Sequence, residues 1–128
     1  MSSIFSKIVT GDIPCYKVAE NDDHLAFLDI NPLALGHTLV IPKKETDYIF
    51  DIEDQEFMEL WQFAKQVANK MEGKFNCERI GIAVIGLEVP HAHIHLVPIN
   101  GVSDIDFSRP KLQLTNEEFI EVVDKINA

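Results

Sequence analysis

Apolar residues along this chain recur with two spacings, every second residue and every third or fourth, and the changes from one to the other lay out a fold. The segment "YKVAENDDHLAFLDINP" reads as a β-hairpin: strands at 16–20 and 24–29, a turn at Asn21-Asp22-Asp23, and a stop at Asn31-Pro32. "GHTLVIP" (36–42), "RIGIAVIG" (79–86) and "HAHIHLVP" (91–98) predict three further strands. Between the third and fourth strands, Phe57, Leu60, Trp61, Ala64, Val67, Ala68 and Met71 recur on one helical face and predict a helix over 54–73. Phe63 lies off that stripe, as a contact for a second surface such as a partner subunit or as a lone exposed aromatic. Near the end of the chain, Thr115-Asn116-Glu117-Glu118 forms a capping box with Leu114 and Phe119 placed for a hydrophobic staple. Phe119, Ile120, Val122, Val123 and Ile126 are the apolar positions of the helix that follows. The expected architecture is α+β: a five-stranded antiparallel sheet with the central and C-terminal helices packed on one face, in a single domain spanning 1–128.

The fifth predicted strand is unusual in its chemistry. His91, His93 and His95 alternate with Ala92, Ile94 and Leu96, so strand geometry sends three imidazoles to one face and three apolar side chains to the other. The sheet is thus expected to have one dry face and one chemical face. His37 opens the third strand, sharing the parity of Leu39 and Ile41, and lies near the histidine row if strands three and five are neighbours.

Composition narrows what this face acts on. With 11 Lys and Arg against 21 Asp and Glu, the formal net charge is −10, which argues against a nucleic-acid backbone as partner. A small anionic ligand remains compatible if local imidazoles and backbone N–H groups receive it. No apolar run approaches the roughly 20 residues that span a bilayer, and the start of the chain has no secretory pattern, so a cytoplasmic protein without membrane contact is expected. Cys15 and Cys77 stand in no ligand-like spacing and read as free thiols with a packing role.

Three readings of the histidine row follow. In the first, a neutral imidazole attacks phosphorus and forms a covalent phospho-imidazole that water later cleaves, while the other imidazoles hold phosphate oxygens and help protonate the leaving group. In the second, the row binds a metal. The outer histidines of an extended strand lie about 13 Å apart, so such a site needs His37 or a carboxylate as a further ligand. In the third, the histidines are structural.

"HAHIHLVP" resembles the H-φ-H-φ-H-φ-φ signature (φ apolar) of the histidine triad, or HIT, family. "IFSKIVTGDIPCYKVAENDDHLAFLDINPLALGHTLVIPKK" is similar to the amino-terminal half of its Hint-like, nucleotide-binding branch. The resemblance covers residues 4–98. It implies a homodimer that binds purine nucleotides and hydrolyses a bond at the α-phosphorus of a nucleoside phosphoramidate or related nucleotide, releasing a nucleoside monophosphate with no cofactor. By position it makes His93 the nucleophile, His95 a contact to the α-phosphate, and His91 a positioning residue acting partly through its backbone carbonyl. His37 becomes a fourth, supporting histidine. Ile4, Phe5, Ile8, Phe27 and Ile30 correspond to an apolar clamp on the base, flanked by Leu28, and Asp29 to a carboxylate that accepts from ribose hydroxyls. Core packing competes for the apolar residues and a turn-capping role for Asp29.

The segment before the triad departs from the family pattern. "RIGIAVIGLEVPH" lacks the Asn common in that loop and places Leu87 and Glu88 where Gln and Ser or Thr are usual. Gly86 keeps backbone N–H groups within reach of a phosphate. Leu87 cannot hydrogen-bond a leaving group. Glu88 repels an anionic substrate when ionised, acts as a general acid if its pKa is raised, or faces solvent. The expected function is a nucleotidyl hydrolase. A nucleotide-binding module with little turnover is the alternative, and a metal-dependent hydrolase a more distant one.

Overall fold

The computed structural model describes residues 2–128. Its elements are α1 (Ile4–Val9), β1 (Lys17–Glu20), β2 (His24–Leu28), β3 (Thr38–Pro42), α2 (Asp54–Met71), β4 (Arg79–Ala83), β5 (Ile94–Ile99) and α3 (Asn116–Asn127). Short 3-10 turns lie at Ile49–Asp51 and Val102–Ile105. The strands form one antiparallel sheet in the order β1-β2-β3-β5-β4, which makes β3 and β5 neighbours and gives the α+β architecture expected from the pattern.

Local chemistry accounts for most boundaries. Asn21 Oδ1 accepts from the N–H groups of Asp23 and His24 and closes the first hairpin. Thr115 Oγ1 accepts from Glu118 N while the Glu118 carboxylate accepts from Thr115 N, so the expected capping box starts α3. Glu53 caps α2 by accepting from Gln55 N and Glu56 N.

Two cores sandwich the sheet. On one side Val18, Ala26, Leu28, Val40, Ile94 and Leu96 meet residues of α2 and α3, including Leu60, Val67, Met71, Phe119, Val122 and Ile126. On the other, Phe5 of α1 packs on Leu25, Phe27, Leu39 and Ile41, with Ile8, Val9, Cys15 and Val89 around them. Every residue of β2 and β3 is buried as a result.

Several expectations need correction. The central and C-terminal helices share one face as expected, but a third helix, α1, which the apolar periodicity did not single out, covers part of the opposite one. Six residues cannot hold a helix alone. Ser3 caps α1 by accepting from Ser6 N, and Phe5 anchors it. Phe63 is neither exposed nor free for a partner: it is buried in the helix-side core and stacks on His24 at 5.1 Å. At about 100° per residue, the buried arc of α2 is turned towards Phe63 and leaves Trp61 half-buried. Ile120, read as an apolar position of α3, is exposed. β4 ends at Ala83 rather than residue 86, and β5 begins at Ile94 rather than residue 91, so His91 and His93 precede the ladder.

Gly36 sets the approach of the chain to β3. Its φ is +92°, and a Cβ there would lie 2.5 Å from Cζ of Phe75. Gly36→Ala is expected to destabilise the fold by about 2 kcal/mol in urea denaturation through backbone strain and this clash. Gly101→Ala, at a residue with open space around it and no positive φ, should stay within about 0.5 kcal/mol of the parent.

Candidate active site

The exposed end of the α1-covered face opens into a cleft of about 410 Å³. Register brings its floor together. Phe27 of β2 pairs with Leu39 of β3, which pairs with His95 of β5, so two apolar side chains and an imidazole form a row across three strands. Phe5 stands edge-on to Phe27 at 5.5 Å and to His93 at 5.0 Å.

Of the expected site residues, Ile4, Phe5, Ile8, Phe27, Leu28, Asp29, Ile30, Gly86, Glu88, His93 and His95 line the cleft. His37 and His91 lie behind it, fully buried. Leu28 borders the cleft but belongs to the helix-side core. Ile30 and Leu87 are largely exposed at the rim, and Glu88 is exposed on the same loop.

Hydrogen bonds fix the protons of the buried imidazoles. Leu33 N–H donates to His37 Nδ1 at 3.0 Å, so the single proton of neutral His37 sits on Nε2. Nε2 then donates to His95 Nδ1 at 3.0 Å, which places the His95 proton on its own Nε2. His93 Nδ1 donates to the carbonyl of His91 at 2.8 Å, leaving the lone pair on Nε2. His91 Nε2 donates to the Pro42 carbonyl at 2.7 Å and its Nδ1 accepts from Ser3 Oγ at 2.9 Å. Ser3 also gives its backbone N–H to Glu45, whose Oε1 accepts from Ser6 Oγ as well. The base of α1 is thereby tied to the triad.

Electrostatics agree with neutral rings. Burial lowers His37 to about 4 and His95 to about 3, with the charges of neighbouring groups adding to the effect. Burial also lowers His91. Asp29 Oδ2 lies 3.6 Å from His37 Nε2, but the ring is neutral and the approach is no ion pair. Burial raises the Asp29 carboxyl, against the Asn31 N–H that it accepts. That bond is the turn-capping role weighed above, and Asp29 makes it while also facing the cleft.

Asp29, His37 and His95 are the one cluster of metal-ligand type among the described residues, with ligand atoms within 4.8 Å of one another. The bonding opposes that use. With Leu33 N–H on Nδ1, His37 offers Nε2 to a metal only as an imidazolate or after losing the backbone bond.

The sequence reading missed several participants. Ser3 and Glu45 had no motif, although Ser3 before "IFSKIV" with Gly11 beyond it is a helix-boundary signal. Phe107 packs 4.6 Å from His95 and Lys111 also lines the cleft, yet both come from an irregular segment without periodicity. Among the described residues no helix is long and apolar enough to cross a membrane.

Comparison with known proteins gives consistent matches. The HIT domain family model matches residues 10–101. A HIT-like protein of Borreliella burgdorferi is 38% identical over 127 residues, covering 93% of this chain and 91% of its own. Adenosine 5′-monophosphoramidase hnt1 of Schizosaccharomyces pombe is 38% identical over 99 residues, covering 77% and 74%. The crystal structure of a Hit-like protein from Bartonella henselae superimposes with a TM-score of 0.85 at 28% identity, covering 98% of this chain and 93% of that one.

Two tests follow from the buried network. A histidine with a folded pKa below its unfolded value stabilises the fold above about pH 6.5, and that contribution is lost as pH falls towards the folded value. With a shift from 6.5 to about 4, His37 alone should cost roughly 2 kcal/mol of stability by pH 5. In His37→Gln, the loss of Tm between pH 7 and pH 5 should be visibly shallower than in the parent. Separately, Ser3→Ala should cost about 1–2 kcal/mol in urea, from the lost cap and the unpaired His91 Nδ1, and Ser3→Thr should recover most of it.

Proposed function

This chain belongs to the HIT domain family, and on that premise we propose that it is a nucleotide hydrolase acting at the α-phosphorus of a purine nucleoside phosphoramidate. The observation that carries the proposal is the bond from His93 Nδ1 to the His91 carbonyl. It occupies Nδ1 and leaves Nε2 as the nitrogen available to attack phosphorus in an apolar cleft.

In this reading the base lies among Ile4, Phe5, Ile8, Phe27 and Ile30, and Asp29 accepts from the ribose hydroxyls. His93 Nε2 attacks phosphorus, the P–N bond breaks, and the departing nitrogen takes a proton from solvent to leave as an amine. His95, its own proton on Nε2, donates to a phosphate oxygen as charge accumulates. His37 holds His95 in that tautomer, and His91 fixes that of His93. Water then cleaves the nucleotidyl–His93 bond, giving the nucleoside monophosphate and the free ring. Gly86, with φ +75° in the loop over the cleft, keeps the backbone close to the phosphate. The relative in S. pombe, an adenosine 5′-monophosphoramidase, supports adenosine as the nucleoside to test first.

A second reading, a nucleotide-binding module with little turnover, is favoured by one observation. Leu87 and Glu88 are exposed where the family pattern has residues that can hydrogen-bond the leaving group. Intact-protein mass spectrometry during turnover of adenosine 5′-phosphoramidate separates the two. Release of AMP with a transient AMP adduct is expected, with both lost in His93→Ala and kcat falling by at least about 10³-fold. AMP binding without cleavage or adduct would select the binding module.

The proposal includes a homodimer. Tyr48, Phe50 and Met58 are exposed, Phe50 stacks on Phe57, which lies tilted against Trp61, and Trp61 Nε1 is buried without a hydrogen-bond partner. β4 is an edge strand with Ile82 exposed. Sedimentation at micromolar concentration should give about twice the monomer mass, and Phe50→Arg should shift the distribution towards monomer. A parent that sediments only as monomer would rule the dimer out.

A further inference from the structure

The cleft has a charge problem if a phosphate is to enter it. His37, His91 and His95 are held neutral, Asp29 and Glu88 bring carboxyl groups to the lining, and the chain carries a net charge of −10. Among the residues lining the cleft, one is a lysine or arginine: Lys111. It lies beyond residues 10–101, the span that matches the family model.

Lys111 is placed by two anchors. Leu112 N–H donates to the Pro32 carbonyl at 2.8 Å, pinning the segment to the loop that follows Asp29. Lys111 Nζ donates to the carbonyls of Phe107 at 2.6 Å and Arg109 at 2.9 Å, and the Phe107 ring packs against His95. The half-buried Lys111 is thus attached through its ammonium to the turn that abuts the triad. Two of its three protons are used on neutral carbonyls, and among the described residues no carboxylate lies within 4 Å of it. No direct ion pair therefore takes up its charge, although Asp29 and Asp106 lie near enough to feel it. That charge reaches both sides of the cleft, favouring the ionised form of Asp29 and opposing protonation of His37.

We propose that Lys111 is a specificity-determining residue that selects ligands carrying an anionic phosphate over the neutral nucleoside, using the third N–H of its ammonium. This rests on the nucleotide-binding reading above and adds a residue from outside the family motif. The strap that carries Lys111 supplies a fixed positive charge that the neutral imidazoles cannot.

Calorimetric titration of AMP and adenosine into the parent, Lys111→Met and Lys111→Arg tests this. In Lys111→Met, AMP affinity should fall by about tenfold or more while adenosine affinity changes by less than about twofold. Lys111→Arg should keep most of the preference for AMP. Raising salt from about 50 to about 300 mM should weaken AMP binding more in the parent than in Lys111→Met. Equal AMP affinity in parent and Lys111→Met would overturn the inference and leave the nucleotide reading intact. A parallel loss of AMP and adenosine affinity in both variants would also overturn it, marking Lys111 as a tether for the strap. A parent that binds neither ligand would overturn the nucleotide reading and this inference together.

Discussion

A neutral imidazole has one proton to place, and around this cleft backbone groups dictate the placement. An amide N–H occupies Nδ1 of His37, and a carbonyl claims the proton on Nδ1 of His93. From those two bonds the remaining assignments follow in sequence: His37 donates to His95, and His95 presents its own N–H from the opposite nitrogen. Burial stabilises this state because a charged ring would have to be desolvated. The tautomers thus depend on where β3, β5 and the loop after Asp29 run.

Packing on both sides of the sheet makes that possible. The helix-side core holds β3 and β5 in register, while α1 and its small apolar cluster close over the other face and leave a cleft at one end. α1 is too short to be stable by itself, and its Ser3 cap is also a partner of His91. One hydroxyl therefore links the element that would hold the base to the element that carries the histidines.

Much of this was legible in the sequence because period-two and period-3.6 patterns report burial directly. The strands, α2, the capping box at Thr115 and the shared face of the three histidines all follow from spacing. Phe63 escapes the pattern because the strongest stripe centres near Ala64 and reaches Trp61 at its edge, whereas the buried arc is turned the other way, towards the faces that the sheet and α3 present. α1 escaped because six residues give too little periodicity, although its cap residue was visible. Lys111, Phe107 and Glu45 reach the site by tertiary routes that leave no local pattern. Their roles depend on which distant backbone each segment meets.

The early end of the β3–β5 ladder has a further meaning. Continuing the register of Val40 with Ile94 would set Pro42 opposite Ala92, but proline has no N–H to donate. Ala92 N–H turns instead to the Thr46 carbonyl. The Pro42 carbonyl, which a longer ladder would offer to Ala92 N–H, is taken by the His91 imidazole instead. A missing amide proton at the rim of a sheet thus frees an acceptor for a ring nitrogen. A single imino acid marks where architecture gives way to chemistry.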